Sequence, residues 1–320
     1  MAEKTLPFTK TQIDKIIETY PTPFHIYDEA GIRRSARALK QALAWNAGFT
    51  NYFAVKALPN PAILRIIKEE GFGADCSSLP ELLLAERIGM SGENMMLTSN
   101  ETPAEEYRKA RELGALINLD DLSHIDFLEK HVGLPELLSF RYNPGPLRSG
   151  NAIIGQPEEA KYGLTRKQLL QAYALAKAKG VQRFGLHTML ASNELNPQYF
   201  IETARMLFDL VVAISQEVGI RFSFVNLGGG IGIPYHPEQS AFDLALFSQS
   251  MQTLYQEKIV ANSLHPLKIV MECGRLITGP HGYLVTTAIH TKQTYKDYIG
   301  LDACMTNLMR PALYGAYHHV

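Results

Sequence analysis

The stretch Asn51–Pro61, NYFAVKALPNP, places one lysine, Lys56, directly after a short β-branched and aromatic run and before a turn that contains two prolines. If the run is a buried strand, the Lys56 ammonium emerges at its carboxyl end, where burial disfavours the charged form and lowers the pKa of the amine. A neutral lysine amine forms Schiff bases. A surface lysine at a strand end is the alternative, and this stretch alone leaves both interpretations open.

Seven similar β-type runs follow the first one, with amphipathic helical patterns between them. The eight runs are Tyr52–Val55, Phe72–Cys76, Met95–Thr98, Ala115–Leu119, Leu138–Tyr142, Phe184–Thr188, Phe222–Leu227 and Lys268–Glu272. This alternation predicts an α/β protein built on a (β/α)8 barrel of the TIM type. An open doubly wound sheet is the rival, but the strands follow one another without the long interruption that would favour it.

Three regions are predicted along the chain. Residues 1–45 form an N-terminal segment that contributes to a β-domain and leads into the barrel, and residues 46–280 form the barrel itself. Beyond Gly279 the pattern changes to period-two alternation without helices, so residues 281–320 are expected to begin a C-terminal β-domain. Two or three strands cannot form a sheet with its own core, and this β-domain is therefore expected to be truncated.

Composition limits the classes of function. The chain has 320 residues, 46% of them hydrophobic, which fits a large globular core. Its 31 basic and 32 acidic residues nearly cancel, so neither nucleic acid nor a membrane surface is an expected partner. No apolar stretch approaches the ~20 residues needed to span a bilayer, and the amino terminus lacks the apolar core of a signal peptide. A cytoplasmic protein is therefore expected. Cys76, Cys273 and Cys304 are widely spaced, so neither a disulfide nor a metal site is expected.

Catalytic groups of such barrels lie at the carboxyl ends of the strands. Lys56, Asp75, His187 and Glu272 all fall there. A histidine is more often a satisfied core residue than a functional one, but His187 shares this rim with the lysine and the glutamate. Its imidazole could stack on a planar cofactor.

A glycine run, Gly228, Gly229 and Gly230, follows the seventh strand in the sequence NLGGGIG. Consecutive glycines let backbone N–H groups approach an anion, and the loops after strands seven and eight of such barrels commonly hold phosphate. The hydroxyl of Ser192 could add to this phosphate site. A purely structural tight turn is the alternative.

The sequence ECGR, Glu272–Arg275, ends the eighth strand. Glu272 could hold a protonated ring nitrogen by a charge-assisted hydrogen bond, and Arg275 suits phosphate or a carboxylate. The alternative is that these two side chains simply pair with each other. An imine-forming amine, a carboxylate for a ring nitrogen, a flat stacking group and a phosphate loop together describe a pyridoxal phosphate site.

At this point the chain resembles a known family. The motifs TPFHIYD, YFAVKALPNP, GADCSS, RYNPG, GLHTMLASN, NLGGGIG, ECGR and RPALYGAYH occur in the order seen in the fold-type III pyridoxal phosphate-dependent decarboxylases, most closely the diaminopimelate decarboxylases. The resemblance covers nearly the whole chain. Cys273 stands where the family commonly has proline, the segment 188–192 also differs, and family members usually continue well beyond the point where this chain ends.

The resemblance implies a role for each matching residue. Lys56 would form the Schiff base, Glu272 would pair with the pyridine nitrogen and His187 would stack on the ring, which makes these three the expected catalytic residues. The remaining expected cofactor-binding residues are Asp75, Ser192, Gly228, Gly229, Gly230, Cys273, Gly274 and Arg275, and the expected substrate-binding residues are Arg275, Arg310 and Tyr314. A carboxylate at the ring nitrogen favours CO₂ loss over racemisation.

The resemblance also implies an activity: decarboxylation of an amino acid, with meso-diaminopimelate giving L-lysine as the favoured reaction. Another amino acid or a polyamine precursor as substrate, or a cofactor-binding form without activity, are the alternatives. A homodimer with the active site at the interface is expected.

Overall fold

Twelve strands form one barrel and two small sheets in the computed structural model, which describes residues 6–150 and 155–320. The strands are β1 (Phe24–Tyr27), β2 (Thr50–Ala54), β3 (Gly73–Cys76), β4 (Met95–Thr98), β5 (Leu116–Leu119), β6 (Leu137–Arg141), β7 (Arg183–His187), β8 (Phe222–Asn226), β9 (Lys268–Met271), β10 (Gly282–Val285), β11 (Ala288–Gln293) and β12 (Asp297–Leu301). Strands β2 to β9 are parallel and close in sequence order, because β9 pairs with β2. The predicted (β/α)8 barrel is confirmed, and each predicted run overlaps one barrel strand.

Helices surround the barrel and start at residues that suit helix termini. They are α1 (Lys10–Thr19), α2 (Glu29–Ala42), α3 (Pro61–Glu69), α4 (Leu79–Arg87), α5 (Ala104–Leu113), α6 (Ser123–Val132), α7 (Arg166–Ala178), α8 (Pro197–Val218), α9 (Leu244–Tyr255), α10 (Arg275–Thr278) and α11 (Arg310–Tyr314). The Asn60 side chain accepts a hydrogen bond from the Ala62 N–H at 2.9 Å, and Pro61 occupies the first helical position. The last residues of NYFAVKALPNP therefore start α3 and fix the turn that carries Lys56.

Alternation along the strands divides the barrel residues into an outer and an inner set. The outer set packs against the helices in one large cluster. The inner set has an apolar layer of six buried residues: Tyr52, Met96, Leu116, Leu137, Phe224 and Val270. Gly73 and Gly185 complete this layer, because a Cβ at either position would collide with the Tyr52 or Phe224 ring. The barrel interior is thus a filled core, and in such barrels ligands bind at the carboxyl end.

Two small antiparallel sheets lie outside the barrel. Strand β1 pairs with β10, with Phe24 opposite Val285, and β11 pairs with β12 as a hairpin. Asp302 ties these parts together, because it accepts hydrogen bonds from the hydroxyls of Thr22 and Thr286. The division at residues 45 and 280 and the truncation of the β-domain stay predictions.

None of the helices in the described ranges combines the length and hydrophobicity that crossing a bilayer requires. The amino-terminal residues 1–5, on which the expectation about a signal peptide partly depends, lie outside the described residues.

Candidate active site

A polar layer lies directly above the apolar layer of the barrel, because each of its residues is two positions further along its strand. Its members are Asp75, Thr98, Asn118, Ser139, His187, Asn226 and Glu272. Most of these side chains are buried, with His187 and Asn226 at 0% exposure. Burying so many polar groups is costly unless each has a partner. Such a layer at the carboxyl end of a barrel is suited to bind a polar ligand.

Five buried polar atoms of this layer have no hydrogen-bond partner among the described residues. They are Asp75 Oδ1, Thr98 Oγ1, Asn118 Oδ1, Ser139 Oγ and His187 Nε2. Unpaired buried polar atoms are uncommon in native proteins and call for an unseen partner. A flat polar group bound above this layer would supply one, and the residues present therefore fit a group such as pyridoxal phosphate.

Lys56 lies on a single 3₁₀ turn, Val55–Ala57, that continues directly from β2. Its side chain is exposed, so the burial expected from its apolar neighbours is wrong. The cause is the turn, which ends the strand at Ala54 and directs residues 56 and 57 out of the core. The ammonium charge still acts on the site. It contributes to the lowered pKa of Glu272, and it opposes the rise in the pKa of Asp75 that burial causes.

Glu272 and His187 face each other inside the layer. His187 Nε2 lies 3.3 Å from Glu272 Oε1. On the other side of the ring, the Asn118 side chain lies 2.6 Å from His187 Nδ1. The imidazole therefore lies between Asn118 and Glu272, and the structure brings the two predicted residues, His187 and Glu272, together.

Two carboxyl groups of the layer have opposite pKa shifts. Burial, and then the Glu272 charge, raise the pKa of Asp75 well above its usual value. Burial would also raise the pKa of Glu272. This effect is outweighed by nearby His187, by the Lys56 ammonium and by the Asn226 amide, so the pKa of Glu272 is lowered. Close carboxyl groups avoid double ionisation in this way. Glu272 is therefore the anion of the pair, and Asp75 favours the protonated form.

The glycine run lies beside the loop that follows β7. A Cβ at Gly228 would collide with the Thr188 carbonyl and one at Gly230 with the Ala191 carbonyl, and both glycines have positive φ, 71° and 98°. Glycine is therefore required for the two backbones to pack together. The Glu194 N–H donates to the Gly230 carbonyl at 2.9 Å and fixes the contact. Ser192 lies in the same loop, and its contact with phosphate stays a prediction.

Two of the glycine N–H groups already have partners. The Gly228 N–H donates to Asn226 Oδ1 at 2.8 Å, and the Gly229 N–H points to Met189 Sδ at 3.2 Å. Thioether sulfur is a weak acceptor. The Gly229 N–H is thus the more easily released to an anion.

Cys273 and Gly274 shape the site through their backbone. Cys273 is buried, its N–H donates to Asn51 Oδ1 at 2.7 Å, and the Asn51 amide donates back to its carbonyl at 3.1 Å. Burial, and then the Glu272 charge, raise the pKa of the thiol to about 12, so it stays protonated. A Cβ at Gly274 would lie 2.7 Å from the Ala57 Cβ, so glycine lets this segment approach the Lys56 turn.

Arg275 and Arg310 meet at a tyrosine that the sequence did not single out. The Arg275 guanidinium donates to the Tyr235 hydroxyl at 2.6 Å, and the Arg310 guanidinium carbon lies 5.4 Å from the Tyr235 ring centre. The alternative in which Arg275 pairs with Glu272 is not observed among the ion pairs of the described residues. Tyr314 is 75% exposed and is not part of this cluster.

Six residues of the site were missed: Asn51, Thr98, Asn118, Ser139, Asn226 and Tyr235. Three are asparagines within apolar strands, and an amide there is itself a signal, because a buried amide needs partners. The register of the strands places Asn118 and Asn226 level with His187 and Glu272, and this register is the signal by which the sequence could have identified them. Nothing in the sequence around Tyr235 distinguishes it from an ordinary loop tyrosine.

A barrel with this polar layer, lysine turn and glycine loop defines a class of pyridoxal phosphate enzyme. Residues 29–279 match the family model described as "Pyridoxal-dependent decarboxylase, pyridoxal binding domain". The chain belongs to this family, as the sequence motifs indicated, and is a pyridoxal phosphate-dependent carboxy-lyase.

Individual relatives agree with this assignment. The chain is 41% identical to Protein TabA of Pseudomonas amygdali pv. tabaci and 32% identical to diaminopimelate decarboxylase of Methanothermobacter thermautotrophicus, in each case over 96% of this chain and 72% of the relative. The solved diaminopimelate decarboxylase of Methanocaldococcus jannaschii, in complex with L-lysine, superposes with a TM-score of 0.86 at 28% identity, covering 95% of this chain and 73% of that one.

Proposed function

We propose that this chain decarboxylates meso-diaminopimelate to L-lysine. The observation that carries the proposal is the Glu272 carboxylate, which lies in the polar layer against Asn226 and His187 at the carboxyl end of the barrel. Relatives named diaminopimelate decarboxylase, and a solved neighbour that binds L-lysine, support this substrate. Another amino acid is the alternative, because Protein TabA is more similar to this chain than the diaminopimelate decarboxylases are.

The cofactor, when bound, supplies a conjugated ring that accepts the electron pair left by the departing carboxylate. Lys56 provides the amine to which it attaches. Glu272, as an anion, keeps a proton on the ring nitrogen and so favours electron flow into the ring. His187 stacks on the ring, while Asp75 in its protonated form adds no second negative charge beside Glu272.

The glycine loop and the arginines divide the remaining contacts. Gly228, Gly229 and Gly230, with Ser192 and the backbone at Cys273, Gly274 and Arg275, bind the phosphate. The guanidinium groups of Arg275 and Arg310 bind substrate carboxylates, for which their bidentate geometry is suited. Tyr314 joins them when substrate is present.

A substrate panel tests the reaction. Loaded with cofactor, the chain is expected to release CO₂ from meso-diaminopimelate with a higher kcat/KM than from ornithine, lysine or arginine. Isotopically labelled carboxyl groups and gas capture measure the release. A higher kcat/KM with another amino acid contradicts the substrate, and the absence of release from every amino acid contradicts the activity.

The Lys56 assignment has its own test. Lys56→Ala is expected to lose covalent cofactor attachment and about 10⁴-fold or more of the activity, because no other amine replaces it. Borohydride reduction followed by mass spectrometry of the peptides locates the attached cofactor. Lys258→Ala, which breaks a surface ion pair with Asp209, is the control and is expected to keep both properties. Attachment that persists in Lys56→Ala contradicts the role.

We also propose that the protein is a homodimer. The hairpin of β11 and β12 exposes four large apolar side chains, Ile289, Tyr298, Ile299 and Leu301, with Ile299 at 68% exposure. An exposed apolar patch of this kind marks an interaction site. A second copy would cover it and enclose Tyr314, which lies in the same C-terminal region.

A further inference from the structure

Asn226 stands at the junction of the two halves of the cofactor site. It is the last residue of β8, has 0% exposure, and lies in register with His187 on β7 and Val270 on β9. The chain then continues directly into the glycine run. Its side chain contacts both Glu272 and Gly228, which were assigned above to opposite ends of the cofactor.

The orientation of the Asn226 amide follows from its partners. The Gly228 N–H can only donate, and it lies 2.8 Å from the oxygen Oδ1. The amino group Nδ2 must then face the other way, where it donates to Glu272 Oε1 at 2.7 Å. Met96 Sδ, 3.3 Å away, takes the second hydrogen of Nδ2. Reversing the amide would set two acceptors against each other and two donors against each other.

The contact with Glu272 also orients its carboxylate. Asn226 Nδ2 donates to Oε1, and His187 Nε2 lies 3.3 Å from the same oxygen. Hydrogen bonds to a charged acceptor are stronger than neutral ones, and within a buried site they are not shared with water. A backbone hydrogen bond also joins Glu272 to Gly228, because the Glu272 N–H donates to the Gly228 carbonyl at 2.9 Å.

We propose that Asn226 is a positioning residue that couples the ring-nitrogen end of the cofactor site to its phosphate loop. Its amide holds the Glu272 carboxylate at a fixed place relative to Gly228, so the two recognition groups keep one separation. This inference rests on the proposed roles of Glu272 and of the glycine run. It assigns to Asn226 no contact with the substrate.

The aspartate variant separates the two contacts. Asn226→Asp keeps an oxygen that accepts from the Gly228 N–H but replaces the Glu272-facing donor with a second acceptor. The groups that face this position from the neighbouring strands and the lysine turn are Glu272, His187, Asp75 and Lys56. Two acceptors at this distance require a shared proton, so Glu272 is displaced or neutralised while the loop is kept.

Three probes read the two ends of the site: pyridoxal 5′-phosphate, pyridoxal without the phosphate, and inorganic phosphate. Asn226→Asp is expected to weaken the binding of both pyridoxal forms by about ten- to hundredfold, the loss typical of a hydrogen bond to a charged group. Its affinity for inorganic phosphate is expected to stay within about twofold of the unchanged protein, because the contact to Gly228 persists. Equilibrium titration followed by ligand absorption or calorimetry measures all three, and the absorption maximum of bound pyridoxal is expected to shift.

Asn46 offers a matched control. It is also a buried asparagine with two hydrogen bonds, but its side chain donates to the Leu267 carbonyl at 3.0 Å and accepts from the Ile269 N–H at 3.1 Å, at the amino end of β9. Asn46→Asp therefore introduces the same buried charge without touching Glu272. Its affinity for pyridoxal is expected to fall far less than that of Asn226→Asp.

A double-mutant cycle tests the coupling through Glu272. In a Glu272→Gln background, Asn226→Asp is expected to change pyridoxal affinity by less than about twofold, because the group it positions is gone. Asn226→Leu introduces no charge, and it replaces Asn226→Asp in these titrations if the aspartate variant does not fold. It is expected to lose affinity for pyridoxal and for phosphate together.

Several results overturn the proposal. They are unchanged pyridoxal affinity in Asn226→Asp or in Asn226→Leu, equal loss of phosphate and pyridoxal affinity in Asn226→Asp, an equal loss of pyridoxal affinity in Asn46→Asp, or full additivity with Glu272→Gln. The proposed function fails on different observations, namely the absence of covalent attachment at Lys56 or of CO₂ release by the unchanged protein.

Discussion

At the scale of single residues, the site depends on two buried carboxyl groups in opposite states. Asp75 and Glu272 lie in the same polar layer, but only Glu272 has strong partners, His187 and Asn226. Environments that separate two pKa values in this way commonly mark acid–base or electrostatic roles. Asp75 is buried in its protonated form, which gives a measurable effect of pH on stability.

The first prediction concerns Asp75→Asn. Because folding raises the pKa of Asp75, the folded protein holds a proton that the unfolded chain releases above about pH 4. The stability from this group is full below the unfolded pKa and is lost as pH rises through the folded pKa. Without cofactor, the free energy of unfolding of Asp75→Asn relative to the unchanged protein is expected to grow by up to about 1.4 kcal/mol per pH unit in that window.

Urea unfolding at pH 5.5 and pH 7.5, both above the unfolded pKa of about 4, measures this difference. The control is Asp126→Asn on α6, whose side chain is 74% exposed. It is expected to show no such trend. A difference for Asp75→Asn that is constant or shrinks as pH rises would contradict the buried, protonated aspartate.

Residue chemistry was predictable where a reactive side chain follows a strand. Lys56, His187 and Glu272 were found this way because parallel strands bring their carboxyl ends to one rim. The burial of Lys56 was wrong, because a strand pattern cannot show that a 3₁₀ turn begins at Val55. Tyr235 was missed because its contacts with Arg275 and Arg310 join segments far apart in the chain.

At the scale of elements, the glycine run works by close packing of two loops. Its glycines permit the backbone after β8 to lie against residues 188–191. The run was predicted from the sequence as an anion site, and its packing role became visible only in three dimensions. Both uses require the absence of a side chain, so sequence alone could not separate them.

The second prediction concerns Gly228→Ala. Gly228 has φ 71° and its added Cβ would collide with the Thr188 carbonyl, so the variant is expected to lose cofactor affinity and about 1–3 kcal/mol of stability. Gly180→Ala is the control, because φ is 93° there but nothing lies within 4 Å, at the opposite end of the barrel. It is expected to lose stability and keep its cofactor affinity. Equal affinity in both variants would contradict the role of the loop.

At the scale of the whole molecule, apolar surface is distributed unevenly. The barrel buries its hydrophobic residues almost completely, whereas the β11–β12 hairpin leaves its side chains exposed along its whole length. The sequence predicted strands in this region but could not show which of their faces would remain uncovered, because that depends on where the hairpin lies relative to the barrel.

The third prediction tests the proposed homodimer. Ile299→Asp is expected to shift the sedimentation coefficient from that of a dimer to that of a monomer, because a charge would be buried without a partner at the interface. Leu246→Asp is the control, since Leu246 is 50% exposed on α9, on the outside of the barrel. Sedimentation velocity over a range of protein concentrations distinguishes the two. A dimer that persists in Ile299→Asp, or a monomeric unchanged protein, would contradict the proposal.

The pairing of β1 with β10 has a consequence for biosynthesis. The Thr22 and Thr287 hydroxyls, 2.7 Å apart beside this pair of strands, are separated by 265 residues. At a translation rate of roughly 5–20 residues per second, β10 leaves the ribosome about 15–50 s after β1, the strand with which it pairs. During that time the hydrogen-bonding edge of β1 is available to other nascent chains and to chaperones. This strand, which is made before the eight barrel strands, therefore reaches its native partner only after all of them have been made.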